Sequence, residues 1–353
     1  MENKISASEI YAPAFSVQLG NNKIPKSEVA RIKIEEDLEK PGICTISFNE
    51  FLDPDSQKFK WLDNESIAPG TDVLINFGYA SSKTKGVFKG KIKALEPSFA
   101  LGGVLTLDVQ VFDLSHELQK TQNKVSSNDL TYLEVARELA GKNKLTFSED
   151  GTSKLTSHQK AKRRVDENDY DFLKRLANEI GFEFFVRNNT LYFRKPPENK
   201  APEFSFELHT NILSFSPRMS IANVLSEVMV TGWNEEKTPI SQTAGIKEIK
   251  SSFGFPDFEQ VVDQAKMTRK EEGKVVRSTG EAKEIALSEL KRGNSNLITG
   301  TLECVGNEAL RPGMTVNIEK VGKRFNGRYY ITGATHTFGD NGYRTTLKLR
   351  RCL

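Results

Sequence analysis

The chain reads as mainly β with an α+β insert, two strand-rich regions flanking a piece made of helices and a hairpin. Three observations predict this. Short runs with a period of two recur from residue 10 to about 115 and return after 203. Between them, residues 167–193 pass from a helical period straight into two aromatic-rich strands. At 353 residues the chain is too long for one core and suggests two or three domains.

In the first region Leu105, Leu107, Val109 and Val111 alternate with Thr106, Asp108 and Gln110, which gives a strand one buried face. Ile32 and Ile34 alternate with Arg31, Lys33 and Glu35 in the same way. Residues 45–48, 73–79 and 87–95 supply further strands. Pro41-Gly42, Pro69-Gly70 and Gly102-Gly103 are the turn signals between them. Strands repeated at this spacing predict a barrel or a sandwich.

The pattern changes near 120. Thr131 with Glu134 makes a capping box for a helix expected to run through Ala140 and to stop at Gly141. A basic stretch, 159–164, precedes the most telling segment of the chain. There Asn168 is placed to cap a second helix, with Asp169 and Asp171 near the positive end of its dipole. Phe172, Leu173, Leu176, Ala177 and Ile180 share one face, and Gly181 supplies a left-handed terminus. Strands at 182–186 and 190–193 follow, joined by a tight turn at Arg187, Asn188 and Asn189. Pro196-Pro197-Glu198-Asn199 marks a boundary.

Strands resume at 212–215 and 225–232, the latter running into Trp233-Asn234. Residues 235 to about 277 are polar and lack periodicity, with a charged patch at 270–274, and are expected to form an irregular surface excursion. Ser278 and Glu281 repeat the capping pattern for a helix on which Ala282, Ala286 and Leu290 align. Val316 and Ile318, then Tyr343, Thr345, Leu347 and Leu349, close the chain as strands.

Composition narrows the function. Fifty basic and 47 acidic residues leave a net charge of +3, without the basic stripe of a dedicated nucleic-acid binder. Cys44, Cys304 and Cys352 are scattered and odd in number, which fits a reducing compartment better than a disulfide framework. No apolar run approaches a membrane span, and the N-terminus lacks the apolar core of a signal peptide. Synthesis as a soluble cytoplasmic chain is expected.

No chemistry-bearing constellation emerges. His116, His158, His209 and His336 lie far apart and outside any metal-ligand spacing; structural or surface roles are expected, with His116 at the end of a strand and His336 inside one. Gly86-Val-Phe-Lys-Gly-Lys lacks the spacing, the hydroxyl residue and the strand-to-helix turn of a phosphate loop. Asp166, Glu167, Asp169 and Asp171 offer paired acids of the kind glycoside hydrolysis uses, but a helix N-terminus already accounts for them. No catalytic, cofactor or metal residue is assigned.

These residues together resemble the phage late control gene D family of tail hub proteins, related to the hub part of the type VI secretion valine-glycine repeat protein G. The resemblance rests on Gly78-Tyr79 followed by Val87-Phe88-Lys89-Gly90-Lys91-Ile92, and on Val111-Phe112-Asp113-Leu114. The Glu167-to-Phe193 segment is similar to the family's helix-hairpin block. Val228-x-Val230-x-Gly232-Trp233, Arg311-Pro312-Gly313, Gly327-x-Tyr329-Tyr330-Ile331-Thr332, and His336 with Gly342-Tyr343 complete it.

The resemblance implies two tube-protein-like β-barrels flanking a helix-hairpin domain, in a trimeric pseudo-six-fold ring. The divisions would be 1–118 (first barrel), 119–198 (α/β insert), 199–234 (second barrel, first part), 235–295 (excursion and helix) and 296–353 (second barrel, closing part). It implies a structural baseplate hub that adapts a six-fold inner tube to a three-fold spike and transmits contraction force. Its partners would be two further copies of itself, the tube ring, a separate spike chain, and wedge or tape-measure proteins. The spike is expected on another chain because the sequence ends at Leu353 without a β-helix repeat. No cofactor, no nucleic-acid specificity and no membrane span are expected, with assembly in a phage tail or contractile injection particle. Two rivals remain: a tail-associated peptidoglycan hydrolase using a carboxylate pair, and a host-surface-binding β module, whose mark would be clustered exposed aromatics. Trp61 and Trp233 are too isolated in sequence to suggest one.

Overall fold

The alternating apolar runs of both flanking regions become strands. The computed structural model describes residues 13–79, 86–100, 103–126, 130–148, 161–222, 224–233, 238–249, 267–276 and 278–352. Thus the signal-peptide expectation and His158 lie outside the described residues, as do parts of the 159–164 stretch and of the 235–277 excursion.

The first region holds β1 (Pro13–Leu19), β2 (Asn22–Ile24), β3 (Val29–Asp37) and β4 (Ile43–Asn49). A small hairpin, β5 (Leu52–Asp53) and β6 (Lys58–Phe59), precedes β7 (Asp72–Tyr79), β8 (Gly86–Ser98) and β9 (Thr106–Asp113). The insert comprises α1 (Ser115–Leu118), α2 (Tyr132–Lys142), β10 (Thr146–Ser148), α3 (Asp169–Glu179), β11 (Glu183–Arg187) and β12 (Thr190–Arg194). The last region begins with β13 (Phe204–Glu207), β14 (Ser214–Met219), β15 (Leu225–Trp233), β16 (Pro239–Gly245) and β17 (Met267–Val275). After α4 (Thr279–Asn294) come β18 (Ile298–Val305), β19 (Thr315–Glu319), β20 (Gly327–Gly339) and β21 (Gly342–Arg351).

The two flanking regions share one 13-stranded sheet, ordered β14-β18-β21-β20-β3-β4-β9-β8-β7-β1-β2, with β19 on β20 and β13 on β19. The join is β20. Its first residues pair with β19, and after an irregularity between Ile331 and Gly333 the rest pairs with β3, from Gly333↔Asp37 to Phe338↔Ile32. β21 accompanies it along the other edge. A bulge bends a strand and redirects its edge. Here it lets one strand serve two lobes.

Each lobe keeps its own apolar core. Ile32, Ile34, Ile46, Phe48, Ile75, Phe77, Leu107, Val109 and Val111 fill the first, which also receives Phe338 and Tyr343 from β20 and β21. Val228, Leu290, Leu302, Val316, Tyr329, Ile331 and Leu347 belong to the second. The rejected phosphate loop is the body of β8. Gly90 is required there because a β-carbon would lie 2.1 Å from the Phe112 carbonyl oxygen.

The helix-hairpin forms as the residues predict. Asn168 accepts from the Asp171 amide, Gly181 has φ +68°, and Asn188 takes a left-handed turn conformation between β11 and β12. The alternating faces of that hairpin are both covered. Phe184, Val186, Leu191 and Phe193 join Leu139, Phe172 and Leu176 in the insert core, while Phe185 packs with Leu38, Tyr330 and Cys352.

Four expectations are corrected. The first helix runs through Gly141 to Lys142, because Gly141 keeps an ordinary backbone and the left-handed residue is Lys144. His116 sits in the short α1 helix rather than at a strand end, since Asp113 turns the chain at the end of β9 by accepting from the Ser115 amide and hydroxyl. The irregular excursion contains strands: β16 and β17 flank β15 in a separate three-stranded sheet, where they satisfy backbone groups that periodicity alone did not reveal. The strand carrying Val228 and Trp233 therefore lies outside the large sheet. α4 packs on it, and Val228 and Val230 still reach the second lobe's core.

Candidate functional site

A dense polar region lies at the three-way junction at β20, where both lobes meet the insert. Arg311, in the turn before β19, faces Glu36 of β3 through Nε and Nη2, and Nη2 also reaches the Val87 carbonyl at 3.2 Å. Its guanidinium lies 5.6 Å from the Phe77 ring centroid. Burial pushes the Glu36 carboxyl up, but the nearby Arg311 and Arg187 guanidiniums outweigh it and leave the group below the usual carboxylate range.

β11 and β12 supply the insert's share by simple alternation. Glu183, Phe185 and Arg187 point one way with Arg194, Tyr192 and Thr190 opposite them. Phe185 and Tyr192 stack at 4.7 Å, with the Arg187 and Arg194 guanidiniums against both rings. Arg194 then bonds Glu183 at 2.7 Å and the Gly313 carbonyl at 3.0 Å, while Arg187 donates to the Pro312 carbonyl. Tyr330 of β20 donates to the other Glu183 oxygen at 2.6 Å. Arg350 bridges to Glu198 at 2.6 Å. Charge-assisted bonds of this kind fix orientation as well as distance.

His336 is fully buried behind this network. Its Nδ1 lies 2.9 Å from the Tyr343 hydroxyl and 3.2 Å from the Thr345 hydroxyl. Burial, with Arg311 nearby, pushes its imidazole down to about 3, so the ring is neutral. A cavity of about 10 Å³, bounded by Glu36, Asp113, Phe185, Arg187 and Pro312, is room for a single water.

A second network locks the insert itself. Asp169 is buried and accepts from the Thr121 hydroxyl (2.7 Å), the Asn123 amide (2.9 Å) and side chain (2.7 Å), Asn143 (3.1 Å) and Arg163 (2.6 Å). Burial raises its carboxyl, yet these donors win and hold it below the ordinary range. Dipole complementarity is thus a small part of why an acid stands here. Glu167 is gripped by Arg175 at 2.7 and 2.9 Å, and Asp171 takes the Asn168 side chain. Glu167, Asp169 and Asp171 are therefore spent on local structure; in the basic stretch Arg163 pairs with Asp169 and the Arg164 backbone amide donates to Glu167.

His116 bonds Gln119, while Cys44, Cys304 and Cys352 are free and buried. Among the described residues no group of three metal-ligating side chains gathers, and no helix is long and apolar enough to cross a membrane. Trp61 is buried against Phe48, whereas Trp233 is exposed. The exposed aromatic rings are Phe51 and Phe99, the latter 5.3 Å from the half-buried Phe59 ring. Phe59 and Phe99 are far apart in sequence, which hid their pairing.

This architecture is similar to that of solved phage tail proteins. The chain is similar in fold to the tail protein of Neisseria meningitidis MC58 (TM-score 0.72, 14% identity, 96% of this chain and 97% of that one). It is likewise similar to the 43 kDa tail protein of prophage MuSo2 from Shewanella oneidensis (0.73, 15%, 96% and 98%). A type VI secretion system component of E. coli shares the fold at 0.56, with 13% identity over 91% of this chain and 73% of that one. No curated protein sequence matches the chain. Residues 11–340 match the model of the Alg8 N-terminal domain, and the chain belongs to that family.

Proposed function

We propose that the chain is the structural hub of a phage-like contractile tail or injection system, of the late control gene D kind. It would join a six-fold inner tube to a three-fold spike as a homotrimer and pass contraction force between them. The observation that carries this reading is the end-to-end likeness to tail proteins, which leaves almost no part of either chain unmatched. The construction of the junction supports it. A strand common to both lobes and a buried ionic seam suit a part that must move as one piece. In a trimer the two lobes would present six similar units, and closing the ring would need complementary surfaces on neighbouring copies. The role is mechanical, without catalysis or a bound cofactor, and the partners are the tube ring, a separate spike chain and other baseplate proteins.

The test is solution mass by light scattering, followed by end-on imaging. Three times 39.6 kDa with six similar densities around a channel is expected. A chain that stays monomeric even when co-produced with tube and spike proteins would sink the reading.

One observation favours a second reading, a host-surface-binding β module: Phe51 and Phe99 are exposed, and Phe99 packs on the half-buried Phe59. Binding of the isolated chain to target-cell envelopes, lost on replacing these rings, would support it. The hydrolase alternative has the hydrogen bonds of Glu167 and Asp169 against it.

A further inference from the structure

β20 spans 13 residues, about 40 Å at the usual strand rise, and its two ends point at surfaces of opposite character. At the Phe338 end lies the tip of the first lobe, because Phe338 pairs with Ile32 and β3 runs back from there to Val29, opposite Phe48. Phe51, Phe99 and Val104 are 58%, 57% and 70% exposed at this tip. Phe59 packs on Phe99, and the Glu50 amide bonds the Leu105 carbonyl, which brings Phe51 and Val104 side by side.

The tip is preformed and acidic. Buried Glu50 accepts from the Phe51, Trp61 and Leu62 amides, and Asp53 and Asp63 each accept from a backbone amide of the small hairpin. Asp55, Asp63 and Glu65 stay exposed. Of the two local cations, Lys60 is taken by Glu28. Monomeric proteins seldom leave an ordered apolar cluster of this kind uncovered.

At the Gly327 end of β20, the turn from β19 carries Lys320, Lys323, Arg324 and Arg328 within nine residues, and Arg351 reaches its Phe325 carbonyl. Lys320 is taken by Glu207, while Lys323, Arg324 and Arg328 are exposed. The molecule is therefore polar along β20, acidic and aromatic at one end, basic at the other.

We infer that copies of this chain meet head to tail, with the acidic aromatic tip of one against the basic β19–β20 turn of the next. Such a heterologous contact is the kind that closes a ring when the rotation allows. This deepens the self-association in the proposed function and rests on no other part of it.

Charge exchange tests it. Asp55→Lys with Glu65→Lys reverses the tip, and Lys323→Glu with Arg328→Glu reverses the turn. All four side chains are exposed, so folding is retained. Each double variant alone is expected to lose self-association about tenfold or more, since like charges then face each other. One chain carrying all four changes, with both ends reversed together, is expected to regain it, because every contact is then again between opposite charges. Phe51→Ser with Phe99→Ser should weaken association without a rescue by charge. A trimer indifferent to all these changes overturns this interface and leaves the hub reading standing. A wild-type chain monomeric at every concentration overturns it too, and the hub reading is then decided by co-production with tube and spike proteins.

Discussion

Arg311 and Glu36, 275 positions apart in sequence, form a buried ion pair that ties the second lobe to the first. Removing one member strands the other away from water. Arg311→Ala or Glu36→Gln is expected to cost roughly 3–5 kcal/mol, read as a lower urea midpoint. Replacing both with apolar residues of similar volume should cost far less. Equal losses from single and double variants would refute this account of the seam.

The buried histidine contributes to the acid limb of stability. His336 is neutral in the fold, with its imidazole down at about 3, while the unfolded chain binds a proton near 6.5. The unfolded state therefore holds more protons between those values, so this contribution is present above about 6.5 and declines as pH falls toward 3. Glu36, also lowered, acts in the same direction. Asp113 opposes them: burial pushes it up to about 6, so its contribution is full below about 3.8 and lost as pH rises through 6. His336→Gln should flatten the acid limb of a pH–stability profile, and Asp113→Asn should steepen it between about 4 and 6.

Asp169 is expected to matter to the insert far beyond a helix N-terminus. Asp169→Ala leaves Arg163 and several neutral donors without their acceptor, and should cost roughly 3–5 kcal/mol. Amide exchange would locate the damage in α2, α3 and the hairpin, while β3 and β20 stay protected. Uniform loss of protection would mean the network also supports the lobes.

Leu107 and Val109 are fully buried in the first lobe. An aspartate at either site places an unpaired charge in a dry core, at a cost on the order of several kcal/mol. Loss of soluble, folded protein is expected, and a stable variant that still assembles would contradict this packing.

Sequence periodicity revealed what local physics dictates. The alternation at 105–111 gave β9, and the cap, apolar face and glycine around Asn168 and Gly181 gave α3 and its hairpin. What stayed hidden depends on distance. Nothing near Glu36 signals that its partner is Arg311, and nothing near Phe59 signals Phe99. β16 and β17 escaped because their stability comes from neighbours on both edges of β15 and from α4, more than from their own composition. Asp169 was legible as an acid at a helix start, but its donors come from Thr121, Asn123, Asn143 and Arg163, which only the fold assembles.

The six residue pairs joining β3 to β20 give the molecule a grain. A pull along the strand direction loads all the rungs together in shear, whereas a sideways pull peels them one after another. Like wood, the chain would resist best along its length, and the orientation of β20 inside an assembled particle would then tell which way the load runs.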